Sequence, residues 1–195
     1  MDKLKNKAPQ EILKDVTIQS IEKECLDRVF KYLIEQDKTK KGSTKNKIGP
    51  TDLMKCLNFL GLKPLKAEVA MIIWEVDEDL DGYVSHEEYM TMYKRCINDR
   101  SGLELRKLFN LVQFLMYDKT FRGRVTVEET LQIMYVRHGR DKLDEEITEI
   151  FGQDETNADG SEKVITFGEY IDKVNQRSLR EFKESLKGYV FNPAD

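Results

Sequence analysis

A chain of 195 residues can bury one compact core or two small lobes, and 35% of this one is charged. Its 32 Lys plus Arg stand against 36 Asp plus Glu, a formal charge of −4, and that near balance argues against a nucleic-acid binder. Cys25, Cys56 and Cys96 are few, widely spaced and set among apolar helical positions, so they read as reduced core thiols with no disulfide partner. The polar opening MDKLKNKAPQ lacks a signal-peptide core and no apolar run could cross a bilayer, so membrane insertion is not expected and a cytoplasmic or cytoskeletal setting fits.

Residues 1–17 scatter Leu4, Ile12, Leu13 and Val16 among polar residues and read as an N-terminal tail. From residue 18, Ile21, Leu26, Val29, Phe30, Leu33 and Ile34 recur at helical spacing. A lysine-rich stretch follows, then Ile48 and Asp52, and Leu53, Met54, Leu57 and Leu60 continue as a second helix. Trp74 closes the next apolar helix, where core packing is expected of it.

Residues 77–88 then read D-E-D-L-D-G-Y-V-S-H-E-E, a complete twelve-residue calcium loop. Asp77, Asp79 and Asp81 hold positions 1, 3 and 5, Tyr83 offers its carbonyl at 7, Ser85 stands at 9, and Glu88 can close the shell with both oxygens at 12. Gly82 at position 6 permits the sharp turn, Val84 at 8 is apolar, and His86 reads as an exposed loop position. One Ca2+ is expected here, with Mg2+ as a competitor because Glu88 can turn to give a single oxygen. In the exiting helix Met90, Met92 and Tyr93 suit either buried core or an adaptable groove for an apolar helix.

N-D-R-S-G-L, residues 98–103, is a short connector in which Asn98 and Asp99 can end one helix and Ser101 cap the next; a rigid link and a hinge are both open. A third unit runs through Leu105, Leu108, Phe109, Val112 and Leu115 into Asp118–Glu129, with Gly123 at position 6 and Val125 at 8. A fourth has Leu143, Ile147, Ile150 and Phe151, then Ile165 at 8 and Glu169 at 12. Past Val174 the apolar phase changes, and Leu179, Phe182 and Leu186 form a new stripe, read as an extra amphipathic helix within residues 176–195. That stripe can pack on its own lobe or dock on a partner.

Only the second loop has a full ligand set. Counting back from Asp52 puts Lys41, Ser43 and Lys45 at positions 1, 3 and 5 of the first, where ammonium groups repel a cation. Those lysines, with Lys38, Lys40 and Lys47 of the wider segment, read as a solvated insertion, with an acidic partner surface as the alternative. Arg122 takes position 5 of the third loop, and Ala158, Gly160 and Glu162 fall at 1, 3 and 5 of the fourth. Ile48, Val84, Val125 and Ile165 lie 36, 41 and 40 residues apart, an internal repeat whose loops should pair through short antiparallel ladders.

These residues carry a family resemblance. Over residues 18–175 the chain resembles the calmodulin and troponin C branch of the EF-hand superfamily, including the connector LGLKPLKAE with Gly61, Pro64 and Glu68. The expected fold is all-α: four EF-hand units paired into two lobes, residues 18–98 and a degenerate 104–175, joined by a linker at 99–103. The resemblance implies calcium-dependent helix opening and capture of a helical segment of a partner within a larger assembly. Among accessory proteins it points to the axoneme of cilia and flagella more than to myosin light chains. No phosphate loop, nucleophile elbow or metalloprotease helix is present, so no enzyme is expected. A calcium-binding adaptor or regulatory subunit leads, and a structural scaffold subunit largely independent of calcium is the alternative.

Overall fold

The computed structural model describes residues 9–99, 101–153, 156–157 and 160–187, with side chains described between Ser20 and Glu184. The chain runs α1 (Pro9–Ile34), a 3-10 turn (Gly42–Asn46), α2 (Pro50–Phe59), α3 (Lys66–Trp74), α4 (His86–Asn98) and α5 (Lys107–Tyr117). It continues through β1 (Arg124–Thr126), α6 (Val127–His138), α7 (Arg140–Phe151), β2 (Val164–Thr166) and α8 (Phe167–Lys187). The fold is mostly helical with one short two-stranded antiparallel sheet.

The repeat predicted from the apolar position-8 residues appears as backbone pairing. Ile48 and Val84 exchange both N–H···O bonds at 2.8 Å. In β1 and β2, Val125 faces Ile165, flanked by Arg124 with Thr166 and Thr126 with Val164. All four apolar residues are buried beneath the ladders, so the same residues set the register and seal the core. Helices leaving the second and third loops start alike. Ser85 and Thr126 accept the N–H of Glu88 and Glu129, whose carboxylates accept the N–H of Ser85 and Thr126 in return.

Helix α5 organises the interior. Leu108, Phe109, Leu111, Val112, Phe114, Leu115, Met116 and Tyr117 are all buried, so apolar side chains cover nearly its whole circumference. It packs on α1, α3 and α4 on one side of the chain order and on α6 and α8 on the other. Helix α1 likewise lies on α5 and α6 as well as α2. One apolar cluster therefore runs from Leu26 to Tyr170.

Polar contacts fasten the same seam. Arg28 of α1 donates to the carbonyls of Leu115, Met116, Asp118 and Lys119 at 2.9–3.3 Å, capping the C-terminal end of α5, while its guanidinium lies 5.0 Å from the centre of the Phe121 ring. Tyr32 stacks on Phe121 with ring centres 3.8 Å apart. Arg137 of α6 meets Glu22 of α1 at 3.0 Å and also the Tyr93 hydroxyl of α4, which donates to Glu22 at 2.5 Å.

Several expectations change. Residues 9–17 are helical, forming the first turns of α1. Trp74 is 64% exposed and not core, because it falls on the outer face at the last turn of α3. His86 is exposed as expected but is the first residue of α4, where its Nε2 meets Asp27 at 2.9 Å and its ring packs edge-on to Phe30. No break separates residues 176–187 from the helix preceding them; α8 is continuous. Ser101 caps no helix: its N–H and hydroxyl donate to Asp99, which also accepts from Gly102, Glu104 and Arg106. The connector is thus a turn wound around one carboxylate, whose pKa the Ser101 hydroxyl above all holds well below the usual range.

Candidate metal centre

The second loop brings Asp77, Asp79 and Asp81 together, with one carboxylate oxygen from each lying within 4.8 Å of the others. Asp77 accepts from the N–H groups of Asp81 and Gly82 at 3.1 and 2.8 Å, which folds the loop back on its first residue. Gly82 takes φ of +82° and Leu80 of +58°, left-handed values that glycine adopts freely and leucine adopts at a cost of about 1–2 kcal/mol. Glu88 spans the loop: Oε1 accepts from Glu78 and Asp79 N–H, and Oε2 from the N–H and hydroxyl of Ser85. Burial raises the Glu88 pKa, but these hydrogen bonds outweigh it and hold the carboxyl below its ordinary value. The donor set of clustered carboxylates with a buried Glu fits a hard divalent cation.

The described parts of the other loops answer the same problem differently. In the first, Asp52 is fully buried and Lys40, its side chain only 6% exposed, places its ammonium 2.5 Å from Asp52 Oδ2. That ammonium also donates to the Lys47 carbonyl at 2.7 Å, so it touches the position-7 and position-12 groups that a cation loop turns toward its ion. Asp52 further accepts from Asp37 and Gly49 N–H. The reading of this lysine as part of a solvated insertion is corrected: Lys40 stands where a cation would. In the third loop Arg122 turns onto Glu129, at position 12, and Asp118 accepts from Arg122 and Gly123 N–H. Phe121 and Gly123 repeat the positive φ of Leu80 and Gly82, +54° and +77°, so this loop keeps the backbone path without the ligand set.

In the fourth loop Asn157 N–H donates to the Ser161 carbonyl at 2.8 Å beside a Thr156–Glu162 bridge. Glu169 accepts from the N–H and hydroxyl of Thr166, which hold its pKa down. Residues 154, 155, 158 and 159, the earlier part of this loop, lie outside the described residues.

The candidate partner-binding residues are dispersed. Met92 and Tyr93 are buried and Met90 is half-buried, so this stretch of α4 is mainly core. Leu179 and Phe182 are 53% and 60% exposed, because Arg177 and Arg180 hold α8 to Glu146 and Glu149 of α7 along the opposite side. The Leu186 side chain lies outside the described residues. Cys25 is half-buried, Cys56 and Cys96 are buried, all three are free thiols, and burial raises the latter two to about 12 and about 11. Sequence reasoning missed Lys40 and Lys47 as site residues; the signal available was basic residues within reach of an otherwise unexplained position-12 carboxylate.

Residues 44–96 match the EF-hand domain pair. Over that stretch the chain is similar to EF-hand proteins. A similar protein is "Probable calcium-binding protein CML27" of Arabidopsis thaliana, 27% identical over 133 residues that cover 68% of this chain and 71% of that protein. "Calcium-binding protein 4" of Bos taurus and of Mus musculus are each 27% identical over 126 residues, 64% of this chain but only 43% and 45% of theirs. The match thus spans less than half the length of those two relatives. These relatives are named as calcium-binding proteins. No helix among the described residues is long and apolar enough to cross a membrane.

Proposed function

We propose that the protein is a calcium-binding regulatory subunit built from four EF-hand units in two pairs, with one metal site, in the second hand. The observation that carries this reading is the gathering of Asp77, Asp79 and Asp81 at one point, with Glu88 closing the same loop. Asp77, Asp79, Asp81 and Glu88 would supply carboxylate oxygens and Tyr83 its carbonyl, with Ser85 at the remaining position. Bound calcium would supply a divalent charge joining the two halves of the loop. The Ile48–Val84 bridge would couple that loop to the first hand.

Titration calorimetry should give one calcium per chain, abolished in Asp77→Ala and Glu88→Gln. Two or more tight sites, or none, would overturn the reading.

The partner in this proposal is a helical segment of a protein in a larger assembly, engaged in part by Leu179 and Phe182 on α8. The cytoskeletal or ciliary setting rests on family resemblance alone. A scaffold reading, in which the ion stabilises without signalling, draws support from α5: the apolar surface that opening would expose is already buried between the two halves. Partner affinity measured with calcium and with chelator separates the two, since linkage requires a calcium sensor to bind its partner differently in each. Equal affinities favour the scaffold.

A further inference from the structure

The second loop holds a cation supplied by its neighbour. Lys47 stands at position 7 of the first loop, immediately before Ile48, and its backbone is fixed on both sides. Its carbonyl accepts from Lys40, and Ile48 is hydrogen-bonded in both directions to Val84 inside the second loop. From this anchor the Lys47 side chain crosses to the neighbouring loop, where its ammonium pairs with Asp81 and lies 3.5 Å from Asp79 Oδ2. Two of the three clustered aspartates are therefore already engaged by a positive charge carried on the adjacent hand.

We propose that Lys47 is a tethered competitor that sets the calcium affinity of the second loop and must leave its aspartates when the ion binds. The inference rests on the calcium reading above. Its physical basis is charge. Affinity in such loops follows the number of uncompensated ligand charges, and an ammonium among four carboxylates removes one of them. A divalent ion entering the cluster also repels the ammonium at short range, so both cannot hold Asp79 and Asp81 together. The tether keeps Lys47 at high local concentration whatever the ionic strength, unlike a free monovalent ion. Because Lys47 belongs to the first loop, its displacement would report occupancy of the second hand to a hand that has no cation ligands of its own.

The test uses the full chain and calcium alone. Lys47→Met removes the charge but keeps a similar stem, and should tighten calcium binding about tenfold by calorimetry, the effect of one charge in the shell. Lys47→Arg keeps the charge and should stay within about threefold of wild type. In protein labelled at the lysine ε-carbon, the NMR signal missing from Lys47→Arg should shift on adding calcium to wild type. Equal or weaker binding by Lys47→Met, or a Lys47 signal unmoved by calcium, overturns the inference. Absence of calcium binding by both wild type and Lys47→Met overturns the calcium reading itself.

Discussion

The first and second loops lie side by side, joined through Ile48 and Val84, and neutralise their carboxylates in opposite ways. The first has one acidic residue at its centre, Asp52, and satisfies it permanently with buried Lys40 and two backbone N–H groups. The second gathers four acidic residues and is only partly compensated, by an exposed Asp81 held by a Lys47 whose own side chain remains 21% exposed. A buried pair with both groups hydrogen-bonded is a structural element, whereas an exposed pair on a charge-rich loop is exchangeable. Two adjoining loops can thus divide the work, one fixing the shape and the other remaining open to a cation in the proposed function.

The largest effect should come from breaking the fixed side. Lys40→Met strands Asp52 in the interior and should cost about 3–5 kcal/mol, seen as a drop in Tm of about 10 °C with or without calcium. Lys40→Met with Asp52→Asn removes the stranded charge and should recover part of that loss. A single variant within about 1 kcal/mol of wild type would show that Lys40 does not hold the first loop.

The third loop offers a way to convert one kind into the other. It retains the backbone turn at Phe121 and Gly123, with Arg122 bound to Glu129 in place of a ligand. Arg122→Asp should therefore raise calorimetric stoichiometry from one calcium to two, the second weak. An unchanged stoichiometry would mean that the preserved backbone with Asp118, Glu129 and a carboxylate at position 5 is insufficient.

On the exchangeable side the stability effect should be small. Lys47→Met, without calcium, should change stability by no more than about 1 kcal/mol, because exposed pairs contribute little. A loss as large as that of Lys40→Met would erase the contrast between the loops.

A last effect, of similar small size, concerns pH in the fourth unit. Burial pushes the Glu146 carboxyl up, but Arg177 hydrogen bonds outweigh this and leave it below its ordinary 4.5. A carboxyl with a lowered folded-state pKa contributes stability that is present above 4.5 and lost as pH falls through the folded value. Glu146→Gln should cost about 1 kcal/mol near neutrality, since Arg177 is partly exposed, and should shallow the decline in Tm below pH 4.5. An acid limb identical to wild type would remove Glu146 from that role.

The sequence by itself determined the spacing of the apolar position-8 residues, which pair in the structure, and the acidic cluster of the second loop. Those features are local: a twelve-residue loop brings its own carboxylates together, and alternation of apolar positions sets each helix face. It also placed basic residues, Lys41, Lys45 and Arg122, at ligand positions of the first and third loops, since these can be counted along the chain. Only the tertiary structure decided which basic groups fill them. A lysine stem is long and flexible, and the pairings of Lys40 with Asp52 and Lys47 with Asp81 span 12 and 34 residues, so no local pattern selects them among the neighbouring lysines. The joining of the halves was equally hidden. Apolar residues around α5 announce burial without saying against what, and Arg28 reaches Asp118 across 90 residues. Trp74 went to the surface for the same reason: a helix offers several faces, and contacts from distant parts of the chain choose which are covered.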